Sequence, residues 1–157
     1  MKAILMSVGK TDDALFSQII ETYKNRLKFY IPFDLEFIPD IKKAKNLSEK
    51  EQKNLEGKSI LNALQPSDHL VSLDDKGKQF NSIEFSKYIE QKTHSISKRI
   101  VFLIGGPYGF SEEIYKRANE KISLSKMTYT HQMVRLVFVE QLYRAMTILD
   151  NEPYHHE

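Results

Sequence analysis

The 157-residue chain contains no cysteine and no tryptophan, and it has only six glycines and five prolines. Without cysteine it has neither disulfides nor thiolate metal sites, which fits a reducing cytosol, so a cytoplasmic protein is expected. No apolar run approaches the roughly 18–20 residues of a membrane-spanning helix, so no membrane partner is expected. The formal net charge of +2, from 23 Lys and Arg against 21 Asp and Glu, is too small to indicate nucleic-acid binding.

What the chain does contain is typical of one soluble globular domain, with 41% hydrophobic and 28% charged residues. A chain of this length can bury a single core, and we treat residues 1–157 as one domain. The apolar start, Met1 to Gly9, is short, lacks a small-x-small cleavage site and runs directly into charged helical sequence, unlike a signal peptide. It is therefore predicted to be the first strand.

Strands and helices are predicted to alternate along the chain. Short apolar runs predict the strands, and apolar residues at three- or four-residue spacing predict the helices. The predicted strands are residues 2–8, 34–39, 69–73, 100–104 and 121–124, and the predicted helices are residues 12–28, 48–64, 81–96, 112–119 and 131–149. Residues 74–77 are predicted to form a turn. The alternation indicates an α/β fold with a mostly parallel sheet and helices on both faces.

The last predicted helix, residues 131–149, has almost no continuous polar face. A helix that is apolar all round is buried. In a chain this small, one of its faces is expected to contact a second copy of the protein, which predicts a homodimer. An acidic residue at Leu142 is then predicted to split that dimer.

The loop Gly105-Gly-Pro-Tyr-Gly109, which directly follows a buried strand, is the most informative segment of the sequence. Ligands of parallel α/β proteins bind outside the carboxyl ends of the strands. The loop lacks the Gly-Lys-Ser/Thr of a phosphate-binding loop, and it follows the fourth strand rather than the first, unlike a dinucleotide fingerprint. Two interpretations stay open: a tight turn that needs positive φ, or a bare backbone against which a ligand lies.

A second loop, Leu124-Ser-Lys-Met-Thr-Tyr129, follows the next predicted strand. In one interpretation Ser125 and Thr128 simply cap the last helix. In the other, successive peptide groups read the edge of an adenine while Leu124 and Met127 cover its faces, in a pocket with few polar contacts and much apolar wall. Together the two loops indicate a pocket for a nucleoside-like cofactor.

The last helix also carries two pairs of polar side chains with four-residue spacing. His131 and Arg135 lie one turn apart, and both can contact phosphate. Glu140 and Arg144 have the order of a helical ion pair. That second pair is predicted either to fix an interface or to take part in catalysis.

The C-terminal tail contains Tyr154, His155 and His156. It is either disordered or a source of stacking and proton-handling groups for a site, including the site of a neighbouring subunit. Two adjacent histidines without further ligands are poor support for a metal site, and no metal is expected.

Six segments in order resemble those of one family: Ile-Leu-Met-Ser-Val-Gly-Lys, Val-Phe-Leu-Ile-Gly-Gly-Pro-Tyr-Gly, Ser-Leu-Ser-Lys-Met-Thr, His-Gln-Met-Val-Arg-Leu, Glu-Gln-Leu-Tyr-Arg-Ala and Pro-Tyr-His. The family is the small SPOUT-class methyltransferases that modify N3 of a pseudouridine in large-subunit (23S) ribosomal RNA, and the similarity covers the whole chain. It implies an α/β fold with a C-terminal trefoil knot, S-adenosylmethionine held in the knot, and a homodimer with sites at the subunit boundary.

The resemblance also implies roles for individual residues by motif position. Cofactor contacts are implied for Leu73, Gly105, Leu124, Ser125, Lys126, Met127, Thr128 and Tyr129. The substrate side or its support is implied for His131, Glu140, Arg144 and Tyr154. The family's tail often carries Arg or Lys after Pro-Tyr-His, where this chain has His156, so a fixed cation is missing at that place.

The expected reaction is methyl transfer to N3 of pseudouridine, which must lose its proton first. His131 is the first candidate for handling that proton, and the tail histidines are the second. Ribosomal RNA, within the assembled ribosome, is the expected partner. Two alternatives stay open: a methyltransferase of the same class acting on another RNA such as tRNA, and a non-catalytic ribosome-binding module.

Overall fold

A computed structural model describes residues 1–156, and its elements follow the order predicted from the sequence. Apart from the third strand, their ends differ from the predicted ends by at most two residues. The strands are β1 (Lys2–Val8), β2 (Phe33–Ile38), β3 (His69–Gln79), β4 (Arg99–Ile104) and β5 (Glu120–Ser123). The helices are α1 (Ala14–Leu27), α2 (Glu49–Ala63), α3 (Ser82–Ser95), α4 (Glu112–Arg117) and α5 (His131–Leu149), with a short 3-10 helix at Ala44–Asn46.

The strands form one sheet in the order β2-β1-β4-β3-β5, and every neighbouring pair is parallel. The predicted α/β class and parallel sheet are therefore confirmed. Because all strands run the same way, their carboxyl ends meet at one edge, where the glycine loop after β4 and the loop after β5 also lie. The sheet thus places at one edge two loops that are about 20 positions apart in the sequence.

Alternating strand residues bury two separate cores, one on each face of the sheet. On one face, Phe102 packs with residues of α1, α3 and α5. On the other face, Val101 and Leu103 pack with Ile60 of α2 and Ile114 of α4. The near-continuous apolar sequence of β1 and β4 follows directly from this arrangement, since both faces of these strands are covered.

The turn predicted at residues 74–77 is wrong, because β3 continues to Gln79 and pairs with β5 a second time. Leu73 and Lys78 both lie opposite Ile122, so the four residues between them form a bulge. An ideal Cβ on Gly77 would lie 2.4 Å from the Ile122 carbonyl carbon, so only glycine allows this close approach. The polar, turn-like composition of the segment concealed a strand that resumes after the bulge.

The prediction that Leu142 lies in a dimer interface is also wrong. Leu142 is fully buried within its own chain, together with Phe138 and Val139, in the core that α5 shares with α1 and α3. An acidic residue there would bury a charge in the core and unfold the protomer. The large apolar side chains that remain exposed on these helices include Leu15 and Ile19 on α1 and Met133 on α5.

Neither a membrane span nor a metal cluster is found within residues 1–156. No helix of that part of the chain is both long enough and apolar enough to cross a bilayer. No three His, Asp or Glu side chains in it are grouped as metal ligands.

Candidate cofactor and substrate site

A cavity of about 340 Å³ opens at the carboxyl ends of β4 and β5, beside Leu73, where β3 ends its first pairing with β5. Leu73, Ile104 and Ser123 line it from these strands, and the loops 105–109 and 124–129 complete its walls. Of the residues that the family resemblance implies for the cofactor, seven line this cavity: Leu73, Gly105, Leu124, Ser125, Met127, Thr128 and Tyr129. The eighth, Lys126, is exposed and is not part of the lining.

Two different structural constraints act on the glycines after β4. Gly109 has φ +79° and closes a turn in which its N–H donates to the Gly106 carbonyl at 3.1 Å, as the tight-turn interpretation requires. Gly105 and Gly106 do not have positive φ. Instead, an ideal Cβ on Gly106 would lie 2.2 Å from Glu56 Oε2, and one on Gly105 would lie 3.0 Å from the Phe110 ring. The Glu56 carboxylate and the Phe110 ring therefore already crowd this backbone, and a Cβ at either position would have to displace one of them.

The loop after β5 is held by its own hydrogen bonds. Ser123 Oγ donates to the Ser125 carbonyl at 2.9 Å, and Ser125 Oγ accepts from the Met127 N–H at 2.9 Å. The interpretation that Ser125 and Thr128 cap α5 is wrong, because the N-cap is Thr130, whose Oγ1 accepts from the Met133 N–H. These bonds fix the loop and leave the Met127 side chain 77% exposed beside the cavity.

Two acidic residues in the cavity wall, Asp74 and Asp75, were not singled out from the sequence. The Asp74 carboxylate accepts hydrogen bonds from the Tyr115 hydroxyl and, at 2.9 Å, from the Lys76 N–H. Burial opposes its ionisation, but the hydrogen bonds outweigh burial and lower the pKa of Asp74. In turn, burial and then the bond to Asp74 raise the pKa of Tyr115 to about 12. An acid pair directly after a predicted strand was the signal that could have found them.

His131, at the start of α5, is half-buried and lines the cavity opposite the strand ends. Burial, and then the nearby Arg135, lower its pKa below the ordinary 6.5. At pH 7 the imidazole is therefore neutral. A neutral ring has one nitrogen that can accept a proton, so His131 has the correct form for a general base.

A second, smaller cavity of about 230 Å³ shares Gly106, Pro107 and His131 with the first. It lies between the carboxyl end of β1 and the first turns of α5. Its other lining residues are Val8, Gly9, Lys10, Asp12, Asp40, Gln132 and Arg135. His131 and Arg135, paired by their spacing in the sequence, thus do border one space.

The tail packs against α1 and α5 instead of being disordered, and it forms a polar cluster there. The Tyr154 hydroxyl donates to Glu140 Oε1 at 3.0 Å and lies 3.2 Å from the Tyr23 hydroxyl. The predicted Glu140–Arg144 ion pair is present, with Arg144 Nε 3.1 Å from Glu140 Oε1. Arg144 Nη1 also lies 3.2 Å from His155 Nδ1. The pKa of Tyr154 is raised by burial first, then by Tyr23 and Glu140, so the phenol stays protonated.

The structure does not bring this tail cluster to the cavities. His131 and Arg144 are 13 positions apart on α5, which separates them by about 20 Å along the helix axis. Within one chain, the cluster of Glu140, Arg144 and Tyr154 is therefore remote from His131.

Comparison with known proteins places this chain in a family. A family model described as "Predicted SPOUT methyltransferase" matches residues 1–155. The chain belongs to the SPOUT methyltransferase family. The resemblance noted in the sequence is thereby confirmed, and a member of a methyltransferase family requires a methyl donor.

Curated relatives match this chain over 97% or more of their own length. Three of them are named "Ribosomal RNA large subunit methyltransferase H". The protein from Parabacteroides distasonis is 64% identical over 100% of both chains, and that from Phocaeicola vulgatus is 57% identical over 100% of both. The protein from Christiangramia forsetii is 59% identical over 97% of each chain.

Proposed function

We propose that this SPOUT methyltransferase transfers a methyl group from S-adenosylmethionine to N3 of a pseudouridine in large-subunit (23S) ribosomal RNA, in the cytoplasm. The observation that carries the proposal is the 340 Å³ cavity at the carboxyl ends of the parallel strands β4 and β5, bordered by the neutral His131. The names of the full-length relatives support ribosomal RNA as the substrate.

The cavity suits a nucleoside-like methyl donor in size and chemistry. Its volume lies at the lower end of the range of about 300–1,000 Å³ for small-molecule sites. Leu73, Leu124, Met127 and Val134 supply an apolar wall for an adenine ring, and the peptide groups of the two loops supply its polar contacts. S-adenosylmethionine supplies an electrophilic methyl group on a positively charged sulfur. The ionised carboxylate of Asp74 favours a cationic ligand in this space.

On the acceptor side, N3–H of pseudouridine lies between two carbonyl groups and has no free in-plane lone pair. Loss of the N3 proton therefore precedes or accompanies attack. His131 is the group of this chain that we assign to receive the proton, because it is neutral at pH 7 and borders both cavities. Placement of the pseudouridine next to the methyl donor also contributes to the rate acceleration.

The homodimer and the C-terminal knot belong to the same proposal. The exposed apolar residues Leu15 (70%) and Ile19 (44%) lie one turn apart on α1, and Met133 is 38% exposed on the adjacent α5. A second copy covering these helices would bring its own Glu140, Arg144 and Tyr154 towards a cavity that lacks them. The remoteness of this cluster from His131 within one chain is what favours a shared site.

The dimer is tested by Ile19→Asp, which is expected to convert the dimer into monomers on multi-angle light scattering. Leu55→Asp is the matched control, because Leu55 is similarly exposed (39%) on α2, which covers the opposite face of the sheet. A dimer that persists in Ile19→Asp but not in Leu55→Asp would contradict this assignment and show that the interface lies on the α2 face of the sheet.

The activity is tested with ribosomes and total tRNA from a strain that lacks the gene. Restoration with purified protein and tritiated S-adenosylmethionine, followed by nucleoside mass spectrometry, is expected to give methylpseudouridine in 23S RNA. Calorimetry with S-adenosylhomocysteine is expected to give a binding signal. Label found in tRNA alone would support the rival substrate, and absence of any binding signal would support a non-catalytic ribosome-binding module.

A further inference from the structure

Arg135 is a buried cation for which residues 1–156 provide no carboxylate at ion-pair distance. It is 2% exposed, and its bonds go to neutral groups: Nη2 donates to the Val8 carbonyl at 2.9 Å and Nη1 to Thr11 Oγ1 at 3.2 Å. Among the half-buried arginines, Arg99 and Arg144 have carboxylate partners, whereas Arg117 bonds to neutral groups, the Gln65 and Asp68 carbonyls and Asn119 Oδ1, but is less buried than Arg135. Asp12 and Asp40 offset the Arg135 charge only from beyond ion-pair distance. Burial of a charge without a direct ion-pair partner costs several kcal/mol, so its retention needs a reason.

Two polar atoms of the second cavity are buried and unpaired within the described chain. Arg135 Nε is a donor without an acceptor, and Gln132 Oε1 is an acceptor without a donor. Both residues line the cavity of about 230 Å³. Each atom belongs to a side chain that borders the same space, so a ligand with complementary groups would pair with them after a small shift of these side chains.

The second cavity adjoins the first at His131, Gly106 and Pro107. A methyl acceptor must lie directly beside the donor, so this is where an acceptor belongs if the first cavity holds the donor. Its size, below the range of about 300–1,000 Å³ for larger ligands, suits one nucleobase.

The charges around this cavity favour a base over a phosphate. Lys10 and Arg135 are balanced by Asp12 and Asp40, which would repel a phosphate. A uracil-type base alternates N–H donors and carbonyl acceptors along its edge, and this set of side chains can satisfy both. We therefore favour the base itself as the occupant.

We propose that the second cavity receives the acceptor pseudouridine, that Arg135 binds the carbonyl oxygen that becomes negative beside N3, and that Gln132 accepts from the base's N1–H. The inference rests on the proposed function. The N3 proton passes to His131, the N3 electron pair forms the new N–C bond, and the electron pair of the broken C–S bond stays on sulfur as a neutral thioether. In uridine N1 is the glycosidic nitrogen and carries no hydrogen, so the Gln132 contact distinguishes the two nucleosides.

The guanidinium lies in the right environment for this role. Burial lowers the pKa of Arg135, while Asp12 and Asp40 raise it, and the group remains cationic. Lys10 shares the cavity, and Glu56 and Asp40 raise the pKa of His131 against the lowering by burial and Arg135. A preorganised donor in a water-poor site stabilises a developing oxyanion far better than water does.

The test compares Arg135→Gln and Arg135→Lys with the control Arg99→Lys, an arginine at the amino end of β4. Methylation of ribosomes from the deletion strain is followed against pH, S-adenosylhomocysteine affinity is measured by calorimetry, and the pKa of His131 is measured by NMR. For Arg135→Gln, kcat/KM at pH 7.5 is expected to fall at least tenfold, with cofactor affinity within threefold. In the plot of kcat/KM against pH, the rising limb should move to higher pH. This shift should exceed any change in the pKa of His131 by about one pH unit.

Arg135→Lys is expected to recover part of the rate, and Arg99→Lys to leave the profile in place. A limb that does not move, or that moves only as far as the pKa of His131, would overturn the role of Arg135. If the wild-type protein itself neither binds S-adenosylhomocysteine nor methylates ribosomes, the proposed function fails instead.

Gln132→Met provides a second test that does not depend on the folding of Arg135 variants. Removing an unpaired buried acceptor should leave the free energy of unfolding unchanged or raise it. The same change should lower kcat/KM on ribosomes about tenfold, because the contact to N1–H is lost. Wild-type kcat/KM in a folded Gln132→Met protein would exclude this cavity as the base site.

Discussion

The two edges of the sheet differ in how completely their charged and polar side chains are paired. At the amino ends of the strands, Arg99 donates to Asp68 at 2.9 Å and to Glu36 at 3.0 Å. There, Glu120 accepts from His69 at 2.6 Å and also contacts the Lys92 ammonium. These buried and half-buried charges have partners, as expected for groups that serve only the fold.

At the carboxyl ends of the strands the pairing is incomplete. Arg135 Nε, Gln132 Oε1 and Glu56 Oε2 are buried and have no hydrogen-bond partner within residues 1–156. All three residues lie around the loop Gly105–Gly109 or the start of α5. Unpaired polar groups reduce stability, so this edge is destabilised where the two cavities lie. At the amino edge the charged groups named above are paired, although the neutral Tyr88 hydroxyl, whose pKa is raised by burial and then by Glu120, is also buried without a hydrogen-bond partner within residues 1–156.

The largest effect is expected from Gly105→Val at the carboxyl edge. The Cβ would already lie 3.0 Å from the Phe110 ring, so the valine methyl groups must displace the ring or enter the cavity. S-adenosylhomocysteine affinity on calorimetry is expected to fall at least about 100-fold while circular dichroism remains that of a folded protein.

Gly109→Ala is the control for that substitution, since a Cβ there meets nothing within 4 Å although φ is +79°. It is expected to lose about 1 kcal/mol of stability from backbone strain but much less cofactor affinity. Equal affinity of Gly105→Val and the wild type for S-adenosylhomocysteine would show that the first cavity is not the cofactor site.

His131→Ala is expected to lower turnover about 100-fold, the lower end of the range for a general base. Cofactor affinity should stay within threefold, because the side chain is assigned to the proton and not to the donor. His94→Ala, at an exposed position on α3, should behave as the wild type. Full turnover in His131→Ala would exclude this residue from proton transfer.

At the amino edge, Asp68→Ala should affect stability and not binding. The buried carboxylate accepts from Arg99 Nε and Nη2 and from the Gln65 N–H, and its loss leaves Arg99 with only Glu36. The free energy of unfolding in urea is expected to fall by about 2 kcal/mol. The control Asp150→Ala, at an exposed position, should change it by less than about 0.5 kcal/mol. A large loss of cofactor affinity in Asp68→Ala would contradict the division between the two edges.

The smallest effect concerns acid stability. Burial raises the pKa of Glu120, but hydrogen bonds from Lys92 and His69 outweigh it and hold the pKa below the ordinary 4.5. Its stabilising contribution is therefore present above that pH and is lost as the pH falls through the lower folded-state pKa. Glu120→Gln should be less stable than the wild type at pH 7 by under about 1 kcal/mol. That difference should shrink in urea unfolding at pH 3.5, and a difference that grows on acidification would contradict the assigned pairing.

Much of this architecture could be predicted from local patterns. Capping residues such as Ser48 and Asn81 mark helix starts that the structure shows to be capping boxes. The apolar strands before Gly9 and Gly105 identified the parallel sheet and the edge at which ligands bind. The bulge at residues 74–77 could not be predicted, because Lys78 and Gln79 pair with β5 only after the chain has left and rejoined the sheet.

The sequence by itself determined the alternation of strands and helices, the two loops beside the first cavity and the family, because each depends on residues adjacent along the chain. Only the tertiary structure decided that Leu142 is core, that Asp74 lines the first cavity and that Arg135 borders the second without a carboxylate partner within residues 1–156. Burial and pairing are properties of the neighbours that packing supplies, and α5 receives its neighbours from α1, α3 and the end of β1.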